Sequence, residues 1–240
     1  MEIKIYETKE LASQAVAKII LDLVKSKPTA VLGLATGGTP VAAYRYICDN
    51  YQKMNVSFKN IKTFNLDEYY NIKVDHPQSY RYFMNDNLFN HIDIDKNNTF
   101  IPDDSYISDP SKYDLEIEKC GGIDLQLLGI GINGHIGFNE PSEKPNLETH
   151  VEVLTDSTRN ANKRFFNNID EVPTKAITMG INTILKSKKI VLLALGKEKH
   201  EIISRLISAT ESSSLFPASY LIHHNDLIIV TDKDAYEGGK

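Results

Sequence analysis

A glycine-rich segment near the middle of the chain, Gly129–Pro141, carries the side chains best suited to chemistry. It contains Asn133, His135 and Glu140. A histidine has a pKa near neutrality and suits proton transfer, and a neighbouring carboxylate and amide can fix its tautomer. Because His135 lies among glycines, it has few apolar neighbours that could bury it as a core residue. The pattern favours a catalytic histidine over a structural one that bonds only to backbone.

The same segment places Gly129, Gly131 and Gly134 in a Gly-x-Gly-x-x-Gly pattern, which is typical of dinucleotide binding. That interpretation requires a helix to begin there, yet Gly137 and Pro141 interrupt any helix. We therefore expect no nucleotide cofactor. No third ligand follows at a spacing useful for zinc, so we also expect no metal.

An acidic pair, Asp67 and Glu68, follows a predicted strand. Successive side chains of a strand point to opposite faces, so only one of the two can easily enter a cleft. A carboxylate there acts as a general base if burial raises its pKa toward neutrality. The alternative is a helix cap or a solvated acidic turn, which is the better interpretation of these two residues taken alone.

A second glycine-rich loop, Thr36–Pro40, lies between a predicted strand and a predicted helix. Gly37 and Gly38 allow a sharp turn with uncovered N–H groups. The hydroxyls of Thr36 and Thr39 are further donors, and a helix N-terminus of this kind binds anions. Gly-Lys-Ser/Thr, the signature of a nucleoside triphosphate loop, is absent. The pattern favours a phosphate site over a plain turn.

Cations occur on two later predicted helices. Arg164 lies on the helix predicted over Thr158–Phe166, and Lys199 lies near the start of the next. Most such side chains simply solvate a helix face. Those near a helix start beyond a strand end are better placed to meet a phosphate, with Arg favouring bidentate contact.

Alternating strands and helices must position these loops. Short β-branched runs with turn signals predict buried strands at Thr29–Ala35, Ile61–Leu66, Ile123–Ile130, Ala176–Met179, Lys189–Leu195 and Leu227–Thr231, after a first strand at the N-terminus. Apolar spacing predicts helices over Lys9–Lys25 with Thr8 as its cap, Val41–Tyr51, Ser79–Phe89, Ser111–Lys119, Thr158–Phe166 and Lys197–Ile207. The alternation predicts an α/β sandwich with a mostly parallel sheet, in which ligands bind beyond the carboxyl ends of the strands.

Composition bounds the class of protein. The chain has 240 residues, with 27 Lys+Arg against 32 Asp+Glu and a net charge of −5. Without a basic block it is not expected to bind nucleic acid, although a pocket for a small anion needs only two or three cations. Its apolar runs are about one strand long, and its N-terminus lacks a signal-peptide pattern. We expect a single domain over residues 1–240, no membrane span and a cytoplasmic location.

Four motifs occur in order, namely Thr36–Pro40, Asn65–Tyr69, Gly131–Pro141 and Lys163–Phe166. Together they closely resemble glucosamine-6-phosphate deaminases, also called glucosamine-6-phosphate isomerases, over Ile3–Asp232. The resemblance implies a modified Rossmann-like three-layer α/β/α sandwich, in agreement with the predicted alternation. It also implies a sugar-phosphate substrate. D-glucosamine 6-phosphate and water would give D-fructose 6-phosphate and ammonia, without metal or cofactor.

The resemblance also implies roles for single residues. His135 is similar to the acid/base that opens the pyranose ring, assisted by Glu140 and by Asn133, and Asp67 to the base that moves a proton between C2 and C1. Many relatives carry Asp at position 133. An Asn cannot anchor an imidazolium by charge, so support of the His135 pKa falls more heavily on Glu140. The family's phosphate-binding positions match Thr36, Gly37, Gly38, Thr39, Arg164 and Lys199.

Two departures from the family pattern bear on regulation. Some members extend well beyond the last strand and form allosteric hexamers, whereas this chain stops soon after it. Where those members place basic effector-binding residues, in Ser142–Glu152, this chain has Glu143, Glu148 and Glu152. We expect no activation by N-acetylglucosamine 6-phosphate and a monomer or small homo-oligomer. Residues 142–172 are a candidate active-site lid.

Two other functions compete with this one. A 6-phosphogluconolactonase-like hydrolase shares the fold and a Gly-His loop, but that family resembles Asp-Glu-Arg where this chain has Asp67–Tyr69. It also follows Gly-His with Ser-Leu-Phe-Pro, whereas Ser214–Pro217 here lies far downstream of His135. A non-catalytic sugar-phosphate sensor would normally carry a DNA-binding segment, and none precedes this domain.

Overall fold

The computed structural model describes residues 1–154, 159–160, 163, 166 and 168–239. Arg164 and most of the helix predicted over Thr158–Phe166 lie outside the described residues.

The described part of the chain contains ten strands that form two sheets. They are β1 (Glu2–Tyr6), β2 (Val31–Leu34), β3 (Lys62–Asn65), β4 (Asp67–Tyr69), β5 (Thr99–Phe100), β6 (Leu125–Leu128), β7 (His150–Val153), β8 (Lys175–Thr178), β9 (Ile190–Ala194) and β10 (Leu227–Asp232). The larger sheet has the order β1-β10-β9-β6-β2-β3-β5, and all its neighbours pair in parallel. This confirms the predicted α/β architecture, although most strands are one or two residues shorter at each end than predicted.

The α-helices of the described residues lie between these strands, except the last, which follows β10. They are α1 (Lys9–Ser26), α2 (Val41–Asn50), α3 (Tyr80–Met84), α4 (Ser111–Lys119), α5 (Ile181–Leu185), α6 (His200–Ile207) and α7 (Lys233–Glu237). The predicted cap of α1 is confirmed, since Thr8 Oγ1 accepts a hydrogen bond from Leu11 N. None of the helices in the described ranges is both long and apolar enough to cross a membrane.

Two predicted helices are not uniform. The one over Ser79–Phe89 is α-helical only to Met84 and continues as a π-helical turn over Asn85–Phe89. The one over Lys197–Ile207 begins as a 3-10 turn, Lys197–Lys199, because Gly196 turns the chain at φ +89°. A pattern of apolar spacing does not distinguish these variants from an α-helix.

The two faces of the parallel sheet carry separate apolar cores. In β9, Val191 and Leu193 face the core formed with α1 and α2, whereas Ile190 and Leu192 face the core formed with α4 and α6. Alternate side chains of a strand point to opposite faces, so each buried strand contributes to both cores. Helices on both faces of the sheet give the predicted three layers.

The second sheet is antiparallel, with the order β4-β8-β7. The sequence predicted β8 as a buried strand but did not predict a separate sheet, because a short apolar run looks the same in either setting. The two sheets meet at Leu66, whose carbonyl accepts a hydrogen bond from Met179 N at 2.7 Å. Asp67 is therefore the first residue of the chain on the small-sheet side of this junction.

The order of the parallel sheet brings four carboxyl ends together. Strands β9, β6, β2 and β3 are consecutive neighbours. The loop Thr36–Pro40 follows β2, Gly129–Pro141 follows β6, Lys199 lies just beyond β9, and β3 leads through Leu66 to Asp67. The segments predicted to carry chemistry therefore leave the sheet at one edge, as the rule for parallel sheets requires.

Candidate active site

His135 belongs to a chain of three side chains. Its Nδ1 lies 2.7 Å from Asn133 Oδ1, and Asn133 Nδ2 donates to Glu140 Oε2 at 2.7 Å. Because the amide nitrogen of Asn133 donates to the carboxylate, its oxygen faces the imidazole and must accept. Nδ1 therefore carries the proton, and Nε2 carries the lone pair that can accept one from a ligand.

Two glycines shape the backbone around this histidine. The amide of Gly131 donates to the carbonyl of His135, and the amide of Gly134 donates to the carbonyl of Gly131. A Cβ on Gly131 would lie 2.2 Å from Cε1 of His135, so the imidazole rests directly on this glycine. The segment forms turns rather than a helix, which removes the basis for a dinucleotide interpretation.

Burial lowers the pKa of His135 below its ordinary value. The positive charge of Lys199 lowers it further, whereas the Glu140 carboxylate, 3.5 Å from Nδ1, raises it. Glu140 thus raises the pKa of His135, as expected when position 133 is Asn, but the lowering effect of burial is larger. At neutral pH the imidazole is uncharged and available as a base.

Asp67 lies at the start of β4 and is only 6% exposed. Burial, with a smaller contribution from the charge of Glu68, raises its pKa to about 8. A Cβ on Gly137 would lie 3.2 Å from Asp67 Oδ2 and 3.0 Å from Thr178 Oγ1. The glycine at 137, with φ +61°, therefore lets the loop that carries His135 come against the Asp67 carboxylate.

Glu68 points away and caps a helix. Its carboxylate accepts three backbone hydrogen bonds, from Tyr69, Tyr80 and Arg81, each at 2.9 Å. Two of these donors belong to the first turn of α3, where a negative charge is favourable. Of the two interpretations considered for the acidic pair, the helix cap holds for Glu68 and the buried carboxylate holds for Asp67.

An aromatic cluster lies beside Asp67. The ring of Tyr69 is 5.0 Å from that of Tyr80 and 5.8 Å from that of Phe138, measured between centroids. Burial raises the pKa of both tyrosines, and the nearby charge of Asp67 raises it further. The sequence did not single out this cluster, because its members come from three separate segments with no shared spacing.

The loop after β2 has the form of an open anion site. Gly37 has φ +91°, and neither it nor Gly38 has atoms within 4 Å of an added Cβ. Pro40 is the N-cap residue of α2 and makes no side-chain cap hydrogen bond, so the loop leads directly into the first turn of that helix. The hydroxyl of Tyr44 anchors the loop by donating to the Ala35 carbonyl at 2.6 Å.

Lys199 connects the end of β9 to the His135 loop. Its Nζ donates to the carbonyl of Ile130 at 2.8 Å, and burial lowers its pKa. Lys199 and the loop Thr36–Thr39 therefore share the sheet edge with His135, while Arg164 lies outside the described residues. Their binding of phosphate remains a prediction. Within the described ranges, no cluster of three or more His, Cys, Asp or Glu could hold a metal ion.

Comparison with known proteins identifies the family. The model of the family described as glucosamine-6-phosphate isomerases/6-phosphogluconolactonase matches residues 7–229. The chain belongs to this family. Among the isomerase/lactonase relatives, a glucosamine-6-phosphate deaminase of Thermoanaerobacter sp. (strain X514) is 51% identical, over 98% of this chain and 94% of the relative. One from Mycoplasma mycoides subsp. mycoides SC is 49% identical, over 98% and 96%.

Solved structures of the isomerase/lactonase family agree with the fold. A monomeric glucosamine-6-phosphate deaminase superposes with a TM-score of 0.94 at 46% identity, covering 99% of this chain and all of the other. A 6-phosphogluconolactonase from Leishmania guyanensis gives a TM-score of 0.76 at 18% identity, covering 99% of this chain and 98% of the other. The second likeness concerns the fold alone.

Replacing Asp67 with Asn should stabilise the protein at alkaline pH. An unfolded Asp ionises near pH 3.9, whereas burial raises the pKa of Asp67 to about 8. Ionising the folded carboxyl therefore destabilises the protein as the pH rises between these values, and the effect is complete above the folded pKa. Since a pKa difference of one pH unit is worth about 1.4 kcal/mol, we expect Asp67→Asn to gain up to ~5–6 kcal/mol near pH 9 and almost nothing near pH 4, by urea unfolding. The exposed Asp22→Asn is the control, and an equal gain in both variants would contradict the assignment.

Replacing Asn133 with Asp should raise the pKa of His135. The new carboxylate would lie against Nδ1 and stabilise the imidazolium, so the pKa should increase by roughly one pH unit. NMR titration of the imidazole measures it directly and needs no substrate. Asn97→Asp, which adds the same charge at an exposed position beyond the amino end of β5, should leave it unchanged. A His135 pKa that is the same in Asn133→Asp and in the parent would refute the proposed contact.

Proposed function

We propose that the chain converts D-glucosamine 6-phosphate and water to D-fructose 6-phosphate and ammonia. The observation that carries the proposal is a close contact at Gly137. There the loop that carries the uncharged His135 packs against the buried Asp67 side chain, whose pKa is about 8. Such a pair supplies one base for a hydroxyl proton and another for a carbon-bound proton. Deaminases about half identical over nearly the whole chain support the same assignment.

Ring opening is the first step, since a closed sugar cannot isomerise. Nε2 of His135 takes the proton of the C1 hydroxyl and returns it to the ring oxygen, as the C1–ring oxygen bond breaks and the C1 carbonyl forms. The imidazolium between these transfers is stabilised by Glu140 Oε1, 3.5 Å from Nδ1. Asn133 keeps the ring in the tautomer that leaves Nε2 free.

Isomerisation uses Asp67. Its carboxylate removes the proton from C2 of the open aldehyde while the cationic amine at C2 passes a proton to O1, giving an enolamine. The carboxyl then delivers the C2 proton to C1, which leaves a protonated imine at C2. Water adds to the imine, and loss of ammonia leaves the ketone. With a pKa of about 8, Asp67 is largely protonated at neutral pH before substrate binds. The cationic amine at C2 of the bound substrate lowers this pKa and so favours the carboxylate form, which is the base.

The phosphate would bind at Thr36–Thr39 with Lys199 and Arg164. This part of the proposal rests on the family resemblance, on the open space around Gly37 and Gly38 and on the half-buried charge of Lys199. Phosphate binding away from the reacting carbons orients them for proton transfer.

We also propose a lid within residues 142–172. Strand β7 lies in this range and pairs with β8, so among the described residues closing movements would involve residues 142–149, before β7. A monomer is the proposed state, supported by the monomeric deaminase of similar structure. The cytoplasm is the proposed location, because a charged sugar phosphate does not cross a bilayer unaided.

The decisive assay is ammonia release from D-glucosamine 6-phosphate by the purified protein. We expect turnover, and a loss of about 10²–10⁴-fold in Asp67→Asn, the range typical of removing a general base. Asp22→Asn should retain full activity. No ammonia from the parent protein would overturn the proposal. Hydrolysis of 6-phosphogluconolactone would then support the rival enzyme, and binding of glucosamine 6-phosphate without turnover would support a sensor.

N-acetylglucosamine 6-phosphate should not activate the enzyme. A cavity of about 360 Å³ is lined by Glu140, Lys144, His150 and Glu152. His150 Nε2 lies 3.1 Å from Glu152 Oε2. Three glutamates and a single lysine, Lys144, occupy the segment where allosteric relatives carry basic residues. Initial rates against substrate should be hyperbolic and unchanged by the acetylated sugar phosphate. A sigmoidal curve that this compound makes hyperbolic would contradict the expectation.

A further inference from the structure

A distant turn of the chain supports the loop that carries His135. The turn over Ser213–Ser219, called here the 213–219 turn, is closed by its own hydrogen bonds. Ser213 N donates to Ser219 Oγ at 2.7 Å, and Ser219 Oγ donates to the Phe216 carbonyl at 2.6 Å. These contacts fix Phe216 as part of a compact unit.

This turn makes two backbone hydrogen bonds to the segment that carries His135, one within the loop Gly129–Pro141 and one just after it. Ala218 N donates to the Gly134 carbonyl at 2.9 Å, and Ser142 N donates to the Ser214 carbonyl at 3.0 Å. One bond lies between Asn133 and His135 in the chain, and the other lies just beyond Glu140. The 213–219 turn thus brackets Gly134–Ser142, a segment that begins directly after Asn133 and contains His135 and Glu140.

The ring of Phe216 occupies the space that a side chain at Gly134 would fill. A Cβ on Gly134 would lie 2.3 Å from Cδ2 of Phe216 and 3.3 Å from Cδ1 of Ile202. Phe216 is 3% exposed, and the guanidinium carbon of Arg205 lies 4.2 Å from its ring centroid. A cation over an aromatic face at this distance attracts the ring and restricts its position.

Gly134 joins the two residues that form the hydrogen bond to the imidazole, and glycine has more backbone freedom than any other residue. It has φ +86° and lies between Asn133 and His135, whose side chains must meet at 2.7 Å for the tautomer to be fixed. A glycine has no side chain of its own to hold this conformation. The neighbouring ring restricts it instead.

We propose that Phe216 is a positioning residue for the His135–Asn133–Glu140 group. The inference rests on the proposed function for its effect on rate, but not for its effect on the imidazole. Phe216 touches no reacting atom. It holds the backbone turn at Gly134 so that Nδ1 meets Asn133 and Nε2 stays directed at the substrate. Loss of the ring should therefore slow ring opening without weakening phosphate binding.

The test compares Phe216→Leu with Phe58→Leu. Both parent side chains are phenylalanines buried in apolar cores, and Phe58 lies in the core on the other face of the parallel sheet. We expect Phe216→Leu to lower kcat by about 10-fold or more with KM changed less than 2-fold, because small misplacements of catalytic groups have large effects on rate. Phe58→Leu should lower thermal stability but leave kcat per folded molecule unchanged. Phe216→Met, which keeps more of the volume, replaces Phe216→Leu if the latter does not fold.

The pH behaviour of His135 is the readout that a merely structural role would not change. Burial is the main cause of the lowered pKa of His135, so loosening the turn should move this pKa back toward its ordinary value in Phe216→Leu but not in Phe58→Leu. NMR titration measures this without substrate, even if the parent releases no ammonia and the proposed function fails. Equal kcat in the two variants, or an unchanged His135 pKa in Phe216→Leu, would overturn the inference.

Discussion

Removal of water, nearly complete at Asp67 and partial at His135, whose side chain is 36% exposed, is the constraint on which the site depends. The two groups carry opposite charges when ionised, so burial shifts their pKa values in opposite directions, upward for Asp67 and downward for His135. Both groups are thereby brought toward their uncharged forms at neutral pH. Each then responds to the charge that a ligand brings, which is the condition for exchanging protons with a substrate rather than holding them.

The backbone around Asp67 and His135 packs closely against its neighbours, and this close packing keeps water away from both groups. Gly131, Gly134 and Gly137 recur every three residues, and each faces a different neighbour, namely the imidazole, the Phe216 ring and the Asp67 carboxylate. Any side chain at these positions would separate the surfaces and admit solvent. Two of these glycines, Gly131 and Gly134, also belong to the pattern that imitates a nucleotide fingerprint, and in this loop each is explained by a close contact instead.

The sequence predicted the parts of the site that depend on local pattern. Strand alternation with turn signals located the loops at one sheet edge, and strand geometry correctly separated Asp67 from Glu68. The sequence could not predict the antiparallel sheet, because the apolar run of β8 is equally compatible with the parallel one. Nor could it predict the contacts of Tyr80, Phe138 and Phe216, since these residues approach the site only through tertiary packing of segments far apart in the chain. The order of the four motifs along the chain pointed to the family, whereas the predicted α/β architecture alone did not.

The pairing of β4 with β8 has a consequence for how the chain tells two like residues apart. Asp67 lies opposite Thr178 and Glu68 opposite Ile177 in this register. Chemically the two carboxylates are near equivalents, and nothing in their side chains alone decides which becomes the base and which caps α3. Since side chains alternate with a period of two, a slip of one residue would exchange their faces. Which of the two carboxylates becomes the base therefore depends on whether its position in the strand is odd or even. The backbone hydrogen bonds of the three-residue strand β4 fix that register.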